Sequence, residues 1–202
     1  MARCSEGSAI GLLRSDRQFD PRNIPALQPR NGIKHQVRWL CRCDIQAIVR
    51  HMLSMDSDDR WSRFHRRMAD TAIVDYYQKL RWNSVVLVGL FSEGTLRGIG
   101  EAILFKGDKG MLEAEVAISV SAAWRHQGYG RHLAARVSAE AILRGATRLH
   151  FHYLPHRIAA ARIARSLSGD IDPATHTVTI SQNKVIPHES PPGSRYVRPE
   201  WV

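Results

Sequence analysis

The sequence predicts an α/β fold of the α+β kind: a central mixed, mostly antiparallel sheet of six to seven strands flanked by about four helices. Two observations carry this reading. Between Ser84 and Ser121, apolar and β-branched runs are separated only by short turn signals, which makes a meander with no space for crossover helices. After Ser121 the order changes to a glycine-containing turn, a helical pattern over Arg131 to Leu143 and a strand over Arg148 to Leu154, which is a βαβ-like unit.

Taken in order, His35 to Leu40 reads as the first strand, and Asp44 stands where an N-cap is needed before Ile45, Ile48, Val49 and Met52, in a helix ending near Ser54. A second helical region runs from about Asp59 to Arg81, with Asp70 capping its longer part and Ile73, Val74, Tyr77 and Leu80 on one stripe. Ser84 to Phe91 is a buried strand, Glu93-Gly94 a hairpin turn into Thr95 to Phe105, and Gly107 to Gly110 a turn into the next strand. Beyond the βαβ-like unit, a helix over Pro155 to Leu167 and a strand over Thr175 to Ser181 complete the domain, placed at residues 34–182. Residues 1–33 mix charge, proline and glycine without a period and read as a mobile extension, and residues 183–202 as a C-terminal tail.

Composition narrows the function classes. A chain of 202 residues, 44% hydrophobic, can bury one sizeable core. No apolar run approaches the roughly 20 residues of a membrane span, and the first thirty residues lack a secretory signal, so a cytoplasmic protein is expected. Cys4, Cys41 and Cys43 make no disulfide framework and lack zinc spacing, and they are read as reduced thiols with no metal site. The net charge of +10 calls for an anionic partner. The 29 arginines and lysines are dispersed, with no basic run interleaved with aromatics, which disfavours nucleic acid as the main partner.

The chemistry concentrates between Met111 and Leu133. Met111 to Ser121 alternates strictly, with Glu113, Glu115, Ala117 and Ser119 on one face and Ala114, Val116, Ile118 and Val120 on the other. Arg125, Gly128 and Gly130 then form Arg-x-x-Gly-x-Gly at the start of a helix. A helix N-terminus presents backbone N–H groups without intrahelical partners, and glycines let a pyrophosphate approach the backbone and let the chain take positive φ. The stretch lacks the three-glycine dinucleotide fingerprint and the Lys-Ser/Thr ending of a P-loop, so nicotinamide and nucleoside triphosphate sites are disfavoured.

Ala114 to Val120 followed by Trp124-Arg125-His126-Gln127-Gly128-Tyr129-Gly130-Arg131 resembles motif A of the GNAT N-acetyltransferases, and the similarity extends loosely from about Val37 to Ile180. Asp58-Asp59-Arg60-Trp61-Ser62-Arg63-Phe64 resembles the Arg-Phe segment of bacterial GNAT domains related to protein-lysine acetyltransferases. The resemblance implies a GNAT-like fold and acetyl-coenzyme A as acyl donor. Arg125, His126, Gln127, Gly128, Tyr129, Gly130 and Arg131 would hold its pyrophosphate. The backbone of Ile118, Ser119 and Val120 would bind the pantetheine arm as an added strand. Glu115 is the implied general base for the amine, with Glu113, roughly 7 Å along the same strand face, as second candidate and Glu101 as a third. Arg63 and Phe64 would shape the acceptor entrance, with Arg63 meeting an acidic group.

One departure stands out. At the last helix many members carry an asparagine and then a tyrosine that protonates the thiolate, whereas His156 and Ile163 occupy those places here. No general acid is therefore carried over. The expected activity is direct transfer of an acetyl group to a primary amine, a small molecule or a protein lysine. The missing tyrosine keeps a noncatalytic acyl-coenzyme A binding or sensor domain as the alternative, and strand edges of this fold leave pairing into a homodimer open.

Overall fold

In the computed structural model, which describes residues 19–22, 24, 27, 35–107, 110–155 and 158–182, strand order in one seven-stranded sheet is β1-β2-β3-β4-β5-β7-β6. The strands are β1 (His35–Trp39), β2 (Val85–Ser92), β3 (Thr95–Lys106), β4 (Leu112–Val120), β5 (Arg148–His152), β6 (Asp170–Asp172) and β7 (Thr177–Ser181). Every neighbouring pair is antiparallel except β4 and β5. That exception follows from chain order: β4 and β5 are joined by a helix, the connection a parallel pair requires.

The helices are α1 (Ile45–Leu53), α2 (Ser57–Phe64), α3 (Asp70–Gln78), α4 (Tyr129–Leu143) and α5 (Ala159–Arg165). α4 and α5 cover one face of the sheet, where Val86, Val88, Ala102, Ala114 and Val116 pack against Leu133, Val137 and Ala164. α1 and α3 cover the other, where Ile48, Met52, Ile73 and Tyr77 meet Leu87 and Ile99. The alternation of β4 decides which face receives its side chains: Ala114 and Val116 go to the α4 side, while Glu115 and Ser119 point toward α1, α2 and α3. Phe19, Ile24 and Leu27, within the 1–33 extension, pack against the α4-side core. The tail over 183–202 lies outside the described residues.

Local differences from the sequence expectation have physical causes. The second helical region is two helices, because Asp56 caps α2 by accepting from the Asp59 amide at 2.7 Å and the chain then turns at His65, whose φ is 53°. Asp70 is the first residue of α3 rather than its cap, and its carboxylate pairs with Arg60 at 2.5 Å. Asp44 precedes α1 as expected but makes no side-chain cap, since Arg38 holds both its carboxylate oxygens at 2.7 and 2.8 Å. The short strand β6 had no alternation long enough to announce it. Cys41 and Cys43 are joined in a disulfide with Cα atoms 5.3 Å apart, which corrects the expectation of free thiols; extended backbone at Cys41 brings the two side chains within bonding reach. Among the described residues, no helix is long and apolar enough to cross a membrane.

Candidate active site

The β4–β5 pairing is short. Glu113 faces Arg148, Ala114 faces Leu149 and Glu115 faces His150, and there the ladder ends. β4 continues to Val120 paired only with β3, while Phe151 and His152 of β5 pair only with β7. The two strands therefore part beyond Glu115, and the backbone of β4 from Val116 to Val120 presents an edge with no strand partner on that side among the described residues. Ile118, Ser119 and Val120, the expected backbone contacts, lie along it.

At the end of this edge the chain turns into α4. Gly128 is its N-cap residue with φ of 85°, a conformation that puts strain on any side chain, and His126 shares the left-handed region at 59°. The first bond of the helix runs from the His132 amide to the Gly128 carbonyl at 3.1 Å, so the amides of Tyr129, Gly130 and Arg131 have no helical acceptor. Gly130 differs from expectation: its φ is not positive, and its value is space, because a Cβ there would lie 3.2 Å from Ile163 Cδ1. The Ile163 side chain thus seals α5 against the loop, at the place where a tyrosine is common in the resembled family.

The side chains of this loop divide into struts and free groups. Arg125 donates from Nε to the Val120 carbonyl at 3.0 Å and from a terminal nitrogen to Asp59, so its charge fastens the loop to α2. Its amide is also taken, by the Ala122 carbonyl at 3.2 Å. Tyr129 is buried against His35 and Trp124, with its hydroxyl 2.8 Å from His35 Nε2, so only its amide faces the loop. Gln127 donates to the Ala123 carbonyl at 3.3 Å. His126 and Arg131 are exposed.

The three carboxylates named from sequence have separate fates. Glu115 is exposed and lines a cavity of about 530 Å³. Glu113 does not line it: His150 Nε2 stands 2.6 Å and Arg148 3.8 Å from its carboxylate, away from the cavity. Glu101, opposite Ala117 on β3, is 1% exposed and held by Arg63 at 2.8 Å, the Tyr76 hydroxyl at 2.8 Å and the Tyr77 hydroxyl at 3.2 Å. Burial alone disfavours the Arg63 cation, but the Glu101 carboxylate outweighs it and raises the Arg63 pKa; burial and the same carboxylate raise both tyrosines, which stay neutral donors. Arg63 thus meets an acidic group, as expected, and that group is Glu101.

The cavity wall comes from chain-distant segments: Arg63 to Arg66 at the end of α2 and just beyond it, Tyr76 of α3, Glu115 of β4, His152 to Pro155 from the end of β5 onward, and Thr175 and His176 before β7. His65 and His152 meet edge to face at 6.1 Å, and Thr177 Oγ1 lies 3.0 Å from His152 Nδ1. Burial, with a smaller push from His152, lowers the His65 pKa, favouring neutral imidazole. Sequence reasoning did not find His65, Arg66, Tyr76 or His176, since no spacing links them. His152 and Tyr153 sat on a recognised strand whose turn toward the cavity depends on where its pairing with β4 ends. His156 lies outside the described residues.

Deeper in the same face, His51 of α1 is 4% exposed, with Nε2 at 2.9 Å from Ser119 Oγ and Nδ1 at 3.5 Å from Ser121 Oγ. Burial pushes its pKa down to about 4. This neutral imidazole braces the end of β4 from behind.

Comparison with known proteins agrees with this architecture. Residues 49–168 match the family model described as acetyltransferase (GNAT) family. The GNAT domain of S. lividans PAT superposes with a TM-score of 0.59 at 17% identity, covering 76% of this chain and 98% of that one. A PaiA N-acetyltransferase from Thermoplasma acidophilum, solved in complex with coenzyme A, gives 0.54 at 11% identity, covering 74% and 99%. The ribosomal-protein-alanine N-acetyltransferase of Brucella melitensis gives 0.54 at 16% identity, covering 67% and 84%. No curated protein shows significant sequence similarity to the chain. With more than half its length matched by the family model, and with a parted strand pair leading into a glycine loop at a helix N-terminus, the chain belongs to the acetyltransferase (GNAT) family and is a transferase.

Proposed function

We propose that this protein transfers an acetyl group from acetyl-coenzyme A directly to a primary amine, with Glu115 as general base. The observation that carries the reading is the junction at Glu115: it is the last β4 residue paired with β5, so it stands where the open β4 edge meets the cavity. The edge from Val116 to Val120 suits an extended pantetheine arm bound like a strand, and a backbone N–H there can polarise the thioester carbonyl. The amides of Tyr129, Gly130 and Arg131, which have no helical acceptor, with the exposed Arg131 and His126 side chains, suit the pyrophosphate. The coenzyme A complex of the Thermoplasma relative supports the same class of donor.

An alkylamine of pKa near 10 is mostly protonated at neutral pH. Glu115, directly or through water, takes that proton. The amine nitrogen then bonds to the thioester carbon and gives up its second proton to water, the carbon–sulfur bond breaks and coenzyme A leaves as thiolate, to be protonated by water. Glu113, occupied by His150 and Arg148, is a structural carboxylate in this scheme.

The test combines calorimetry with acetyl-coenzyme A and thiol release with a panel of amines. Glu115→Gln is expected to leave donor binding in place and to lower kcat by about 100-fold or more at neutral pH, the range of general base catalysis, with the loss shrinking toward high pH as free amine accumulates. Unchanged transfer across pH would remove Glu115 from the role. Binding without thiol release for any amine would favour the sensor reading.

A further inference from the structure

The cavity that holds Glu115 is bipolar. Among its described lining residues Glu115 is the sole carboxylate, while Arg63 and Arg66 are the arginines. Arg63 is neutralised by Glu101 and nearly buried, so its charge is spent within the wall. Arg66 is exposed, and no carboxylate among the described residues pairs with it. It follows directly on His65, whose φ of 53° turns the chain out of α2 and delivers residues 65 and 66 to the cavity rim. Its fellow polar groups there are His65, His152, His176, Thr175 and the Tyr76 and Tyr153 phenols, most of which can donate a hydrogen bond. Among the described residues the cavity therefore offers one carboxylate, at Glu115, and a wall of polar groups around one unpaired guanidinium.

We infer that the acceptor is a primary amine carrying an anionic group, a carboxylate or phosphate, which Arg66 binds while the amine addresses Glu115. This rests on the acetyl-transfer reading above and adds the substrate class to it. An acceptor with a second cation would set that charge against Arg66, and a purely apolar amine would make no use of the guanidinium or its polar neighbours. Arginine is suited to the task because its planar fork binds carboxylate or phosphate through two parallel hydrogen bonds. A cavity of about 530 Å³ is of the size that encloses a small ligand. The same chemistry is offered by a free amino acid or phosphorylated amine and by a lysine flanked by acidic residues.

The test uses matched pairs of acceptors in thiol release: butylamine against 4-aminobutyrate, ethanolamine against phosphoethanolamine, and a lysine peptide with neutral against aspartate flanks. The anionic member of a pair is expected to have the higher kcat/KM, by roughly five- to tenfold for a half-exposed charge-assisted contact. Arg66→Glu is expected to invert that ratio and Arg66→Lys to restore part of it, and since the ratio is taken within one variant it is independent of protein quality. A preference confined to the small-molecule pairs names a free metabolite as source, and one confined to the peptides names a protein. Transfer to both members of every pair at equal efficiency, or a ratio that Arg66→Glu leaves unchanged, overturns the inference while acetyl transfer stands. Acetyl-coenzyme A binding with no transfer to any amine overturns both.

Discussion

Glu101 and Glu115 sit on adjacent strands, on one face of one sheet, a step apart in register, since Glu101 faces Ala117 and Glu115 faces Ile103. Their surroundings are opposite. Glu101 lies under α3, where Arg63 and two phenols saturate its oxygens and exclude water. Glu115 lies where β5 departs, exposed at a cavity walled by the end of α2 and by Tyr76 of α3. The contrast teaches that a carboxylate on this face becomes buried and paired or open to a cavity according to what packs over it, and that the buried cluster holds part of the cavity wall in place. Arg63 and Tyr76 belong to both regions, touching Glu101 on one side and the cavity on the other.

The largest effect expected from breaking this contrast comes from Glu101→Gln. It leaves Arg63 buried without its counter-charge, which should cost about 3–5 kcal/mol in urea unfolding. Glu115→Gln, by comparison, should leave stability within about 0.5 kcal/mol while abolishing most transfer. Equal stability losses for the two would erase the distinction.

His51 provides a second, pH-dependent probe of the buried side. Its pKa is about 4 in the folded protein against an ordinary 6.5, so between these values the unfolded chain binds the extra proton. Stability from this group is therefore complete above pH 6.5 and lost as pH falls toward 4, by about 3 kcal/mol in all. His51→Gln should flatten that part of the stability profile measured by urea unfolding. A slope unaltered by the substitution would place the pH dependence elsewhere.

Gly128→Ala tests the donor side. At φ of 85° a Cβ should cost about 1–2 kcal/mol of stability and weaken acetyl-coenzyme A in calorimetry, because relief of the strain moves the loop amides. Donor affinity equal to that of the unsubstituted protein would detach the loop from binding. The smallest effect is expected for Asp56→Ala, which removes the cap of α2 and about 1 kcal/mol in thermal unfolding. Because α2 carries Arg63 and Phe64 to the cavity, KM for the amine should rise more than KM for the donor.

Features governed by short-range rules were readable along the chain. The two-residue period of β4 assigned Glu115 and Ser119 to one face and Ala114 and Val116 to the other, as found. The turn at Glu93-Gly94 is a two-residue hairpin with both φ values positive, 51° and 72°. The Arg-x-x-Gly-x-Gly run does lead into a helix N-terminus. Arg125 was harder, because an arginine beside a glycine loop reads as a phosphate ligand until Asp59, distant in sequence, takes its charge. Arg66 was invisible for the same kind of reason: it is an exposed arginine in a run of basic residues, and nothing local marks it as the one that faces a cavity.

What the sequence by itself determined is most of the elements, the face on which each β4 side chain stands and the glycine turn at a helix N-terminus, because periodicity, turn chemistry and φ preference act over a few residues. Only the tertiary structure decided which glutamate is buried and which is open, that among the described residues Arg63 is paired with a carboxylate and Arg66 is not, and that His65, Tyr76, His152 and His176 share a cavity with Glu115. Those outcomes depend on strand register, on where the β4–β5 ladder stops and on which helix covers the gap. They are long-range properties, set when distant segments exclude water from one carboxylate and leave it beside another.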